Sequence, residues 1–171
     1  ISMQKEHWEN YSKEAINGGS NWGWGDPDTI DPVLGNYILI KNNLLEKINS
    51  KKVIVDLGSL TGKWTGYMLN AKYIWCVDLN TSGFEYIKQN YETKNIKFYM
   101  TKGDELAAIQ DNSVDFIFSM DTLVRAPKEA IKSYFVEFNR VLKNGGECMI
   151  HLPCTFSTFS NEKGFTKLTL K

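Results

Sequence analysis

At 171 residues and 42% hydrophobic content the chain is long enough to bury one sizeable core, and it reads as a single domain with short appendages. Twenty Lys and Arg offset twenty Asp and Glu, so no global field draws nucleic acid or an anionic membrane, and a small-molecule substrate is the expected partner. Cys76, Cys148 and Cys154 lack a Cys-x-x-Cys spacing and only His7 and His151 accompany them, which argues against a disulfide framework and against a metal site; no apolar run reaches membrane-span length and no signal-like start is present, so a soluble, cytoplasmic protein is expected.

Ser2 to Ile16 place Trp8, Tyr11 and Ala15 on one helical face, which predicts a short amphipathic helix whose work is packing. Asn17 to Pro27 is too rich in glycine for regular structure, yet it carries Trp22 and Trp24. Those indoles read either as a lid over a planar or cationic ligand or as anchors of the loop on the body. Asp31-Pro32 opens a helix in the cap-then-proline arrangement, and Leu34, Ile38, Leu45 and Ile48 carry it to about Asn49.

A first strand is predicted at Lys52 to Asp56, followed by a glycine turn and a helix from Lys63 to Asn70. Tyr73 to Asp78 is a second strand, Gly83 to Tyr91 a helix, and Ile96 to Met100 a third strand that ends at Gly103 and Asp104. Ser113 to Met120 forms the fourth strand. Pro127 to Leu142 forms the next helix, stopped by Lys143-Asn144-Gly145-Gly146, and Glu147 to Leu152 is the fifth strand. The polar stretch Cys154 to Lys171 reads as loop with at most one short element. This divides the chain into an arm at 1–31, a core at 32–153 and a tail at 154–171.

Alternating strands and helices, with each strand a nearly continuous apolar run, imply a mainly parallel sheet of order 3-2-1-4-5 covered by helices on both faces. Ligands of such sheets sit over the carboxyl ends of the strands at the point where the order reverses. Asp56, Gly58, Asp78, Asp104, Ser119 and Asp121 all fall at those ends. The glycine turn, Asp56-Leu57-Gly58-Ser59-Leu60-Thr61-Gly62-Lys63-Trp64, admits three readings. It is one residue short of a phosphate-binding P-loop and has no hydroxyl after Lys63 to hold magnesium. It lacks the middle glycine of a nicotinamide dinucleotide loop, where Leu60 stands. The third reading is a cationic amino-acid-plus-nucleoside ligand, with Asp78 accepting from two ribose hydroxyls and Asp104 from an adenine amino group.

Taken together, Val53 to Thr65, Val77-Asp78-Leu79, Lys102-Gly103-Asp104, Val114 to Ser119 and Arg140 to Glu147 stand in an order and spacing that resemble the class I S-adenosylmethionine-dependent methyltransferases. The resemblance implies a Rossmann-like three-layer sandwich with S-adenosylmethionine as cofactor. Asp56, Gly58, Ser59 and Gly62 would line the methionine moiety, Asp78 and Leu79 the ribose, Gly103 and Asp104 the adenine, and Ser119 and Met120 the methyl-donor pocket. It implies methyl transfer to a small or medium polar acceptor, with oxygen as the preferred atom. Asp121, His151 and Asp26 are the candidate bases, each with a capping or structural role as the alternative.

Three departures stand out. Leu60 occupies the family's usual central glycine, Arg125 stands where a histidine is frequent and would suit an anionic substrate, and two late strands are absent, so the core is expected to be incomplete. A non-catalytic binding module on the same fold therefore stays open, as does a homo-oligomer.

Overall fold

The computed structural model describes residues 9–11, 13–17, 27–28 and 37–152. Trp22, Trp24, Asp26, the Asp31-Pro32 helix start, both predicted segment boundaries and the tail lie outside the described residues. Residues 9–11 and 13–17 are helical, with Ala15 buried as the amphipathic pattern requires. The core elements are α1 (Tyr37–Lys47), β1 (Val53–Leu57), β2 (Tyr73–Asp78), α2 (Ser82–Asn90), β3 (Ile96–Met100), β4 (Val114–Ser119), α3 (Lys128–Val141) and β5 (Leu142–Ile150). No helix among the described residues is long and apolar enough to cross a membrane.

The five strands form one sheet of order β3-β2-β1-β4-β5, every neighbouring pair parallel. This is the predicted order, and the apolar runs explain it. Successive residues of a strand face opposite layers, so a strand covered on both sides must be apolar at nearly every position. Ile54, Ile74, Cys76, Phe116 and Phe118 pack on one face with Ile40 and Leu44 of α1 and Phe84 and Ile87 of α2. Val55, Leu57, Val77 and Ile117 pack on the other with Ile131, Phe138 and Val141 of α3.

Two elements differ from the sequence reading. The helix expected from Lys63 to Asn70 is a single 3-10 turn at Thr65–Met68. Thr65 is held from below, its Oγ1 donating to the buried Asp56 carboxyl at 2.6 Å, and Gly66 gives little helical preference, so a regular turn is not built here. At the other end, β5 begins at Leu142 rather than Glu147. Leu142 pairs with Val114 and Glu147 with Phe116, so the glycine stop is absorbed as a bulge, with Gly145 at φ +77°. Arg140 fixes this end of the sheet by donating to Glu137, Asp111 and the carbonyls of Leu106 and Ile109.

The first turn of α2 lies against the glycine turn after β1. A side chain at Gly83 would begin 1.9 Å from the Leu60 carbonyl oxygen, whereas one at Gly145 would meet nothing. Gly83→Ala is therefore expected to lose at least ~2 kcal/mol of unfolding free energy, since backbone must move. Gly145→Ala should lose only about 1 kcal/mol, for its left-handed φ alone; urea unfolding of the two variants measures the difference.

Asp56 generates a second expectation. It is 2% exposed beneath the turn, and burial pushes its carboxyl up to about 7, opposed by the Thr65 hydrogen bond and assisted by the charge of Asp78. A folded-state value raised above the unfolded one means that the folded chain binds more protons between about 4 and about 7. Stability is thus fully present at the acid end of that window and is lost as pH rises through it. Asp56→Asn keeps an acceptor for Thr65 and removes the charge. Its stability should exceed that of the wild type above neutral pH by a few kcal/mol, and the advantage should vanish in mild acid.

Candidate active site at the strand carboxyl ends

The turn after β1 is built from left-handed residues at alternate positions: Gly58 at φ +79°, Leu60 at +45° and Gly62 at +82°. Leu60 thus adopts the backbone of the glycine it replaces, at the steric cost a Cβ brings to that region. Four of the turn's N–H groups are bonded within the protein. Gly58 and Ser59 both donate to the Val77 carbonyl, Gly62 donates to Ser59, and Leu60 donates to Asp78 Oδ2 at 2.9 Å. These four donors face protein acceptors, and no α-helix begins at Lys63 to present an N-terminus beside them.

What the site presents is acceptors. The Asp78 carboxylate closes β2 over the turn, taking N–H bonds from Leu60 on one oxygen and from Leu79 at 2.7 Å on the other. Burial raises its pKa, and the backbone N–H groups of Leu60, Leu79 and Asn80 pull it back down. Asp56 lies buried under the turn, its carboxyl accepting from Thr65 Oγ1. Among the described residues neither acid has a cation among its perturbing neighbours. The Ser59 hydroxyl is buried in the same place without a hydrogen-bond partner. At the end of β3, Leu79 Cδ2 lies 3.1 Å from where a Gly103 side chain would begin, and Asp104 is exposed.

The end of β4 closes the other side. Ser119 Oγ donates to the Leu57 carbonyl at 3.0 Å, Met120 is buried, and Thr122 fills the space a Gly58 side chain would need. Between them Asp121 takes φ +59°, a left-handed conformation that aspartate tolerates. Its Oδ1 lies 2.8 Å from His151 Nδ1, and its Oδ2 accepts from the Tyr37 hydroxyl of α1. His151 is itself fixed at the end of β5 by its N–H bond to the Ser119 carbonyl. Burial alone would raise the Asp121 pKa, but the hydrogen bonds from His151 and Tyr37 and the charge of Arg125 hold it below the usual carboxylate value. Arg125 lies with its guanidinium 5.7 Å from the Tyr11 ring centroid.

The structure thus joins two of the sequence-predicted residues, Asp121 and His151, in one contact and sets them next to the turn that holds Gly58, Leu60 and Asp78. It sets Asp56 below that turn and leaves Asp104 exposed beyond the end of β3. Tyr37 and Thr122 were not anticipated, and Tyr11 was expected only to pack. The stripe expected through Leu34, Ile38, Leu45 and Ile48 is corrected, since α1 buries Ile40 and Leu44 and leaves Leu45 exposed. Tyr37 stands on that buried stripe, packed against the same cluster, but nothing in its spacing points to an acid 84 residues away; only the folded chain pairs them.

Comparison with known proteins gives the arrangement a family. A family model described as a methyltransferase domain matches residues 55–150. A search of curated proteins finds no significant match. Among solved structures, the YcgJ protein of Bacillus subtilis shares 17% identity at TM-score 0.56, over 64% of this chain and 48% of its own. An S-adenosylmethionine-dependent methyltransferase of Mesorhizobium loti shares 17% at 0.58, over 80% and 54%. The phosphoethanolamine N-methyltransferase 1 of Haemonchus contortus, solved with phosphoethanolamine and S-adenosylhomocysteine, shares 16% at 0.62, over 96% and 35%. These likenesses establish the fold, and the chain spans under two thirds of the length of each. With the family model running from the end of β1 to the end of β5, across more than half of its residues, the chain belongs to the methyltransferase domain family.

Proposed function

We propose that the chain binds S-adenosylmethionine across the carboxyl ends of β2, β1 and β4 and directs its methyl group to a small or medium polar acceptor in the cytoplasm, with oxygen as the preferred atom. The observation that carries this reading is the pair of acids around the turn, buried Asp56 and half-buried Asp78, with no cation among their perturbing neighbours in the described residues, where Gly58, Ser59, Leu60 and Gly62 already spend their N–H groups on protein acceptors. A phosphate or pyrophosphate would meet two carboxyl groups there, with four of the turn's N–H donors already engaged. A ligand carrying a sulfonium and an ammonium group, with a ribose diol that donates hydrogen bonds, suits that set. Family membership and a neighbour solved with S-adenosylhomocysteine support the same cofactor.

In this reading the Asp78 carboxylate, with acceptor capacity left beside its backbone bonds, holds the ribose hydroxyls. Gly58, Ser59 and Gly62 line the methionine portion. Leu79, Gly103 and Asp104 flank the adenine, and Ser119 and Met120 back the reacting end. Leu60 keeps the trace of the turn by accepting a left-handed φ. When bound, S-adenosylmethionine supplies a methyl group already activated on sulfur, so the protein chiefly aligns the acceptor and takes its proton. Asp121 and His151 stand where that proton is released. Arg125 suits an anionic end of the acceptor, and Trp22 and Trp24 are proposed to cover it. The free thiols of Cys76 and Cys148 accord with a reducing cytoplasm.

Isothermal titration with S-adenosylmethionine tests the assignment. Asp78→Ala should weaken binding at least about ten-fold, ~1.4 kcal/mol or more. Asp111→Ala, which removes a surface acid paired with Arg140 at the far end of β4, should change it by less than about two-fold. Equal losses in the two variants would exclude Asp78 as the ribose acceptor.

A further inference from the structure

We infer that Tyr37, Asp121 and His151 form an ordered array in which His151 Nε2 takes the acceptor's proton, with Asp121 and Tyr37 as positioning residues; the inference rests on the methyl-transfer reading above.

The order follows from which atoms can donate. A carboxylate only accepts, and both Asp121 oxygens are engaged: Oδ2 by the Tyr37 hydroxyl and Oδ1 by His151 Nδ1. In a neutral imidazole facing a carboxylate, the facing nitrogen carries the hydrogen. Nε2 is then the nitrogen with the free lone pair. Exposure agrees with this division, the His151 side chain being 47% exposed and that of Asp121 26%. The ring therefore reaches outward while the carboxylate stays behind it. Burial and the Asp121 charge hold the Tyr37 phenol in its protonated, donating form. Two further contacts fix where the array stands: His151 N–H on the Ser119 carbonyl, and Thr122 against Gly58, one residue from Asp121. The base is thereby set beside the turn assigned to the cofactor.

The same geometry specifies the acceptor class. As a sulfonium methyl moves to an attacking atom, the C–S bonding pair stays with sulfur, and the proton of the attacking O–H or N–H is left to be removed. His151 Nε2 receives it and becomes imidazolium, which the Asp121 charge stabilises. A built base is needed for a hydroxyl or protonated amine. It is superfluous for a thiolate or carboxylate, so the array points to an alcohol, phenol or amine.

Tautomer state is a direct readout, and only His7 and His151 have to be resolved in the full chain. Long-range proton–nitrogen correlation spectra of protein carrying isotope-labelled histidine, recorded at mildly alkaline pH without cofactor, should show His151 as the Nδ1–H tautomer. In Asp121→Asn the Tyr37 hydroxyl retains the side-chain oxygen and turns the amide NH2 toward Nδ1, so His151 should switch to Nε2–H. The double variant Tyr37→Phe, Asp121→Asn frees the amide to rotate and should restore Nδ1–H, a rescue that a merely structural role for Tyr37 would not produce. An Nε2–H tautomer in the wild type, or one tautomer across all three proteins, overturns the inference. Titration of the wild type with S-adenosylmethionine separates the two levels. Absence of binding would remove the methyl-transfer reading and this inference with it, whereas intact binding with the wrong tautomer would sink the inference alone.

Discussion

The hydrogen bond from the Leu60 N–H to Asp78 Oδ2 is the contact on which the site depends. It ties the turn after β1 to the end of β2 and holds three alternating left-handed residues in one shape. The same bond keeps the Asp78 carboxylate over the turn rather than in solvent, so burial and not pairing governs its charge. Asp56 lies under the turn, with Thr65 as its hydrogen-bond partner among the described residues. Two acids are thus concentrated where the sheet order reverses, the position at which an α/β sheet opens to a ligand. This closure turns the Leu60 donor inward and leaves acceptor capacity on Asp78.

That closure also explains why Leu60 is tolerable. A branched residue at φ +45° is strained by about 1–2 kcal/mol, and such strain persists only where the surroundings over-determine it. Here the Asp78 bond holds the Leu60 nitrogen, and Gly83 of α2 approaches its carbonyl so closely that no side chain fits between them. The cost of the wrong residue in the turn is thereby carried by two neighbouring elements, and the trace expected of a glycine is retained.

Strand positions, the order 3-2-1-4-5 and the strand-end acids were legible in the sequence because burial on both faces leaves an apolar run that nothing else imitates. Asp121 and His151 were each legible as strand-end candidates, but their contact was not: pairing across 30 residues depends on the register of β4 against β5. That register contains a bulge at residues 143–146, which the glycines announced as a helix stop and not as part of a strand. The helix after the glycine turn was misread because apolar spacing at Trp64, Tyr67 and Met68 says nothing of a buried acid that captures Thr65. Tyr37 stands at helical spacing with Ile40 and Leu44, which marks it as core-facing, but its partner is chosen by how α1 packs on the sheet.

The two halves of the site are mechanically one. Ser119 Oγ is bonded to the Leu57 carbonyl, and Thr122 fills the hollow over Gly58, so the segment that carries Asp121 rests directly on the turn that carries Leu60. A displacement of the turn must pass through Thr122 to Asp121, and from Asp121 to both Tyr37 and His151. Packed side chains of this kind shift together or not at all, because dense interiors transmit strain rather than absorb it. In the proposed reading, binding at the turn and proton acceptance at His151 are therefore linked through four residues in contact, without motion of the sheet. The left-handed Asp121 is the hinge point of that chain: it is the residue whose φ aims one carboxylate at two elements distant in sequence, and no β-branched or bulky residue could occupy it without losing one of them.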